Sequence, residues 1–178
     1  MSGHNKWSKI KRQKGATDAA KSKIFSKMAR AIATASRLVK GDASSPTLRA
    51  AIEKAREYNM PTDNIERAIK KGSGVDAEAM EAITYESYGP GGCALVIEAL
   101  TDNRNKAAQE IKFILSENGF QLATQGSATW AFKKESTTNN WQPTTTLKLS
   151  EEDNAKLEAL IEELEDNEEI QDVYTNAE

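Results

Sequence analysis

The apolar pattern of this chain changes period once, at residues 72–74 and the acidic stretch that follows to Glu81, and that change requires two differently built parts. Before it, apolar residues recur at helical spacing. From residue 19 to residue 40, Ile24, Phe25, Met28, Ile32, Ala35 and Val39 fall on one face, and Lys23, Lys27, Arg30 and Arg37 fall on the opposite one. Ser45-Pro46 restarts the chain with an N-cap and a proline at the first helical position, and Leu48, Ala51, Ile52 and Ala55 make a second stripe. Met60-Pro61 breaks that helix, because the residue before proline is pushed out of the helical region. A third helix carries Ile65, Ala68 and Ile69 inward and Arg67, Lys70 and Lys71 near its end, with Gly72 as its stop. Three complementary stripes predict a small helical bundle.

After the boundary the pattern predicts strands separated by helices. Residues 84–88 read as a strand, Gly89-Pro90-Gly91-Gly92 as a turn, and residues 93–100 (CALVIEAL) as a buried strand. Residues 103–118 form a helix, and residues 126–133 alternate so that Ala128, Trp130 and Phe132 share one face. Residues 144–149 alternate again, Ser150 and Asp153 form a capping box for a helix over 151–166, and residues 170–174 make a last strand. The order from Cys93 onward is βαββαβ, the ferredoxin-like arrangement. The expected fold class is therefore α+β, with a basic arm and three-helix bundle over 1–74 and a ferredoxin-like domain over 75–178.

Charge divides the chain at the same place. Residues 1–40 carry eleven Lys/Arg against one acid, Asp18, and residues 1–74 together have a net charge of +11. Residues 75–178 have a net charge of −14, so the overall −3 conceals the division. Such a polarity predicts a polyanion-facing half and an acidic half. The plainer reading, basic helices that only solvate one end, stands beside it.

Several function classes are excluded or weakened by what the residues lack. No apolar run approaches the roughly 20 residues of a membrane span. No apolar stretch follows the basic N-terminus, so it is not a secretory signal. A mitochondrial transit peptide would also be basic and poor in acids, but Trp7 and Ile10 read better as part of the mature protein. The single cysteine, Cys93, cannot pair internally, which fits a reducing, cytoplasmic setting. His4 is the only histidine, so a Ser/His/Asp or Cys/His site would depend on a terminal arm. Soft ligands are too few for zinc, and the glycines at 89–92 neither open a helix nor precede a P-loop lysine. The expectation is no enzyme, no cofactor and no metal.

With these segments in view, the chain resembles the YebC/PmpR family. The resemblance is carried by SGHNKWSKIKRQKGATDAAKSKIFSKMAR at residues 2–30, NMPTDNIERAIKKG at 59–72, YESYGPGGCALVIEALTDNRN at 85–105 and VYTNA at 173–177. Family members usually carry a third domain between the strand near Phe132 and the strand near Leu147. Here only residues 133–146 lie between them, so the chain resembles a short two-domain form. The resemblance implies two roles: transcriptional regulation by DNA binding, or translational activation on the ribosome that relieves stalling at proline-rich stretches.

The residues themselves point to phosphate. Lys6, Lys9, Lys11, Arg12 and Lys14 lie on one short arm that continues into Lys23, Lys27, Arg30 and Arg37, a track able to neutralise successive phosphates. Trp7 either stacks on an exposed base or folds back as an anchor. Arg104 is a further candidate, either binding nucleic acid or pairing with Asp102 at a helix start. Base-edge reading needs Arg, Asn or Gln on a recognition helix, and the first helix offers mainly lysines, so the expected contact is to backbone rather than sequence. DNA and ribosomal RNA fit this track equally, and a protein–protein adaptor working through the acidic half is a third class. Nothing in the sequence sets the oligomeric state.

Overall fold

The computed structural model describes residues 18–74, 79–136 and 140–178. They form two compact units, one ending at Glu81 and the other running from Ala82 to Glu178. The class is α+β.

The first unit consists of three helices, α1 (Asp18–Leu38), α2 (Pro46–Glu57) and α3 (Thr62–Ser73). Met28, Ile32 and Ala35 of α1, Leu48, Ile52 and Ala55 of α2, and Ile65 and Ala68 of α3 close one core together with Met60. Full burial of each of the larger aliphatic side chains contributes roughly 1.5–3 kcal/mol. Ser45 stands at the N-cap of α2 with Pro46 next to it, as expected, although its side chain makes no capping bond. The helix α3 does not stop at Gly72. It continues to Ser73, and Gly72 is buried where α3 crosses α1. A Cβ at Gly72 would lie 2.7 Å from the carbonyl carbon of Ala33 and inside the envelope of its oxygen. The Ser36 hydroxyl donates to the carbonyl of Ile69 at 2.8 Å, tying the same crossing.

The second unit is a four-stranded sheet ordered β3-β1-β2-β6 with two helices on one face. Its elements are β1 (Glu81–Tyr88), β2 (Ala94–Thr101), α4 (Arg104–Glu117), β3 (Leu122–Ala123), β4 (Phe132–Lys134), β5 (Trp141–Pro143), α5 (Glu151–Asp166) and β6 (Ile170–Thr175). Leu95, Ile97 and Ala99 of β2 pack under Ile111 and Leu115 of α4 and Leu157, Leu160, Ile161 and Leu164 of α5. Ala94 and Val96, on the other face of β2, pack with Ala128, Ala131, Phe132 and Tyr174. Both helices are capped at their N-termini. Asn103 accepts from the Lys106 amide at 3.1 Å, and Ser150 accepts from the Asp153 amide at 3.1 Å.

The strand assignment differs from the βαββαβ reading at the strand beside β2 and at both of the middle strands. Between β2 and β3 the sheet holds β1, not a strand that follows β3. Residues 126–133 instead become a 3-10 turn at Thr129–Ala131 and the short β4, which pairs with β5 in a separate two-stranded sheet. Residues 144–149 reach β6's neighbourhood through one bridge, Leu147 to Ala177. The cause is proximity: β1 and β2 are joined by the tight turn at Pro90–Gly92, and closing so short a loop costs less entropy than bringing in a later segment. The 3-10 turn also breaks the alternation that places Trp130 inward. The residue is 61% exposed.

The Gly72 crossing yields a direct prediction. Gly72→Ala destabilises the helical unit by about 1–3 kcal/mol through overpacking. Gly74→Ala, whose Cβ would meet nothing closer than 3.5 Å, serves as control and leaves stability nearly unchanged. Thermal melting followed by circular dichroism measures both, and equal melting of the two variants would disprove the close crossing.

Candidate nucleic-acid interface

The cations that the sequence places on one ridge of α1 do not all reach solvent. Arg37 is exposed, Lys23 and Arg30 are half-buried, and Lys27 is buried at 7% exposure beside Met28. The outward ridge therefore loses Lys27. The reason is that α1 packs against both α2 and α3, so the covered face is wider than its apolar stripe and takes in Ser36 as well as the stem of Lys27. Lys23, Lys27, Arg30 and Arg37 all have partners already. Lys6, Trp7, Lys9, Lys11, Arg12 and Lys14 lie outside the described residues.

The structure brings further cations to the surface of this unit. Lys21 on α1, Lys40 just beyond it, Arg49 and Arg56 on α2, and Arg67, Lys70 and Lys71 on α3 are all exposed. Two of the guanidinium groups are held in place. Arg49 Nη2 donates to the Ser44 carbonyl at 3.2 Å, while Arg67 donates through Nε to the Asp63 carbonyl at 3.3 Å and through Nη2 to Asn64 Oδ1. A guanidinium anchored on one edge keeps its remaining N–H groups oriented, which suits planar, bidentate recognition of a phosphate. Among the described residues, Lys21, Lys40, Arg56, Lys70 and Lys71 make no ion pair. The apolar periodicity fixes these outward positions, but α2 and α3 also carry Glu53, Glu57, Asp63 and Glu66, so their cations stand out less in a reading of charge along the chain.

Arg104 stands on the second unit, exposed at the first residue of α4, and its carbonyl accepts from Tyr85 Oη at 3.4 Å. It borders a shallow hollow with Tyr85, Glu86, Leu122 and Gln125. Cys93, the one thiol, is fully buried, and burial pushes it above its usual range, so it is a poor nucleophile. Among the described residues no group of three His, Cys, Asp or Glu could hold a metal ion, and no helix is long and apolar enough to cross a membrane.

The acids of the second unit that lie inside it are spent on structure. Glu86, 3% exposed, accepts from the amides of Gly126 at 2.6 Å, Ala128 at 2.7 Å and Thr129 at 2.8 Å. Burial alone would raise its carboxyl, but these amides outweigh burial and hold it below the usual carboxylate range. Glu98 on β2 accepts from Trp141 Nε1 at 2.9 Å and Lys134 Nζ at 3.1 Å, and Lys134 sits 5.0 Å from the centre of the Trp141 ring. Glu169, buried, pairs with Lys106 at 3.2 Å. None of these three arrangements is visible in the local sequence, because each acid and its partners lie 36 or more residues apart.

Comparison with known proteins places these features in a family. The model described as the TACO1/YebC protein N-terminal domain matches residues 5–75. The model described as the TACO1/YebC second and third domain matches in two pieces, residues 80–139 and 133–177. A probable transcriptional regulatory protein of Fervidobacterium nodosum is 55% identical over 76% of this chain and 54% of its own length. One from Trichlorobacter lovleyi is 45% identical over 98% of this chain and 70% of its own length. The chain thus spans little more than half of several curated relatives it matches. A crystal structure of a conserved hypothetical protein from Aquifex aeolicus superposes with a TM-score of 0.79 at 29% identity, covering 90% of this chain and 91% of that one.

The Glu86 clamp predicts a pH-dependent stability. A carboxyl held low in the folded state stabilises above the ordinary carboxylate range, and this contribution disappears as pH falls through the folded value. Glu86→Gln removes the charge from three amide donors and costs about 2–3 kcal/mol at neutral pH. Denaturant titrations across pH should show the gap between wild type and variant closing below about pH 4. A gap that stays constant down to strong acid would mean the carboxylate charge plays no part.

Proposed function

The chain belongs to the TACO1/YebC family, and on that premise we propose that it is a non-enzymatic nucleic-acid-binding protein, a regulator of transcription that grips DNA through its phosphates. The observation that carries this reading is the net charge of +11 over residues 1–74 in a chain whose remainder is strongly acidic. The exposed cations of α2 and α3 support it, since a polyanion can reach them without unfolding the core. The relatives' names, probable transcriptional regulatory proteins, support the regulatory role. A buried, protonated Cys93 supports the absence of nucleophilic catalysis.

Affinity of this kind comes from counterion release and carries little sequence information. That same property favours a second reading, a translation factor bound to ribosomal RNA, because lysines that neutralise phosphate do not distinguish the two polymers. Crosslinking in cells followed by sequencing of bound DNA and RNA separates the readings. Recovery of promoter DNA supports the first, and recovery of ribosomal RNA replaces it with the second.

The phosphate grip makes a quantitative prediction. Replacing Arg67, Lys70 and Lys71 with alanine weakens duplex binding to a similar extent for every sequence and lowers the log–log salt slope by about 0.9 for each phosphate no longer neutralised. Fluorescence anisotropy at several salt concentrations measures the slope. An unchanged slope would remove α3 from the interface.

A further inference from the structure

We propose that Tyr88 and Trp130 form a stacking site for an unpaired base of a single-stranded nucleic acid. The proposal rests on the nucleic-acid reading above but uses a different unit and a different chemistry. Trp130 is 61% exposed and Tyr88 38% exposed, although their neighbours Ala128, Ala131 and Phe132 are buried. A tryptophan placed only for packing would follow those neighbours inward. The 3-10 turn at Thr129–Ala131 turns it out instead.

The two rings are fixed where they stand. Trp130 Nε1 donates to Tyr88 Oη at 3.0 Å, and Tyr88 Oη donates in turn to the Ser127 carbonyl. Both polar tips are therefore satisfied within the protein, and what remains for a ligand is the ring faces. The loop beneath them is held by Glu86, whose buried carboxylate binds the amides of Gly126, Ala128 and Thr129. A ring held by a pinned loop loses little freedom on binding, which favours a flat partner.

The surroundings choose among flat or apolar partners. The segment that carries Trp130 supplies Thr124, Gln125, Ser127 and Thr129, polar and uncharged, rather than the run of apolar side chains that an amphipathic helix needs to dock on. The charge of Glu86 faces its three amides and not the ligand. Lys133 is exposed three residues beyond Trp130, and it points away from the core because Phe132 points into it. An aromatic face with a lysine beyond it matches a base and a neighbouring phosphate. Every base has a π face, so such a contact is tolerant of sequence but requires the base to be out of a duplex.

The test titrates the full chain with a labelled single strand of about 12 nucleotides and a duplex of equal length, a size within reach of one compact binding module. Trp130→Ala should weaken single-strand binding by about tenfold while duplex binding changes less than about twofold. Trp130→Phe should restore most of the loss and Trp130→Leu should not, which separates stacking from bulk; circular dichroism and melting compare the folding of all three variants. Equal single-strand affinity for wild type and Trp130→Ala would overturn the stacking site and leave the phosphate reading standing. No binding of either nucleic acid to wild type would overturn both. Retention of an extended peptide that is lost in Trp130→Ala, with single-strand affinity unaltered, would overturn the proposal in favour of a peptide site.

Discussion

β2 is buried on both faces, and that single requirement places the rest of the second unit. Its residues alternate between two cores, with Leu95, Ile97 and Ala99 under the helices and Ala94 and Val96 under the hairpin side. Within the sheet β1 and β6 flank it, so its backbone groups are paired on both edges as well. The helical side is closed by α4 and α5. The other side is closed by Ala128, Ala131, Phe132 and the partly buried Trp141, from the short segment that includes β4 and β5. Here also lies Glu98, whose charge would be costly so close to a core without Lys134 and the Trp141 indole. The two pieces of the family match for the second and third domains overlap at residues 133–139, a range that begins within β4.

What could be read from the sequence is what depends on spacing along it. The stripes of α1, α2 and α3, the break at Met60-Pro61, the Asp153 amide bonded to Ser150 and the apolar run of β2 all follow from neighbours within one or two turns. What could not be read depends on approach between distant segments. Gly72 resembles a helix stop until Ala33 is brought against it. Lys27 resembles a solvated cation until two helices flank α1. Trp130 continues a perfect alternation until Glu86, more than 40 residues earlier, captures the amides before it and bends the chain into a 3-10 turn. The third strand is misplaced by the sequence pattern for the same kind of reason, since local alternation cannot tell which segment reaches the edge of β2 first.

The candidate sites divide in the same way. A track of cations is legible as composition, and the structure alters which of them face outward, removing Lys27 and adding Arg49, Arg56, Arg67, Lys70 and Lys71. The acidic half looks in sequence like a uniform repellent for polyanions. In the structure its inner acids are tied to amides, an indole and two lysines, whereas Glu158, Glu162 and Glu163 lie on the outer side of α5, away from its buried leucines. The loop bearing Trp130 has no acid among residues 124–134, so the proposed stacking site lies on a stretch free of the domain's negative charge.

The two proposed contacts respond differently to salt, and that difference gives the arrangement its logic. Phosphate contacts weaken steeply as counterions accumulate, because their affinity is the entropy of releasing those ions. Stacking on Trp130 and Tyr88 releases few ions and keeps its strength. At low salt a chain using both would hold any nucleic acid, through the helical unit. As salt rises toward the cellular range, the sequence-neutral grip fades and the aromatic contact forms a growing share of what remains. Selectivity for unpaired bases then increases under the conditions where total affinity falls, without a residue that reads a base edge.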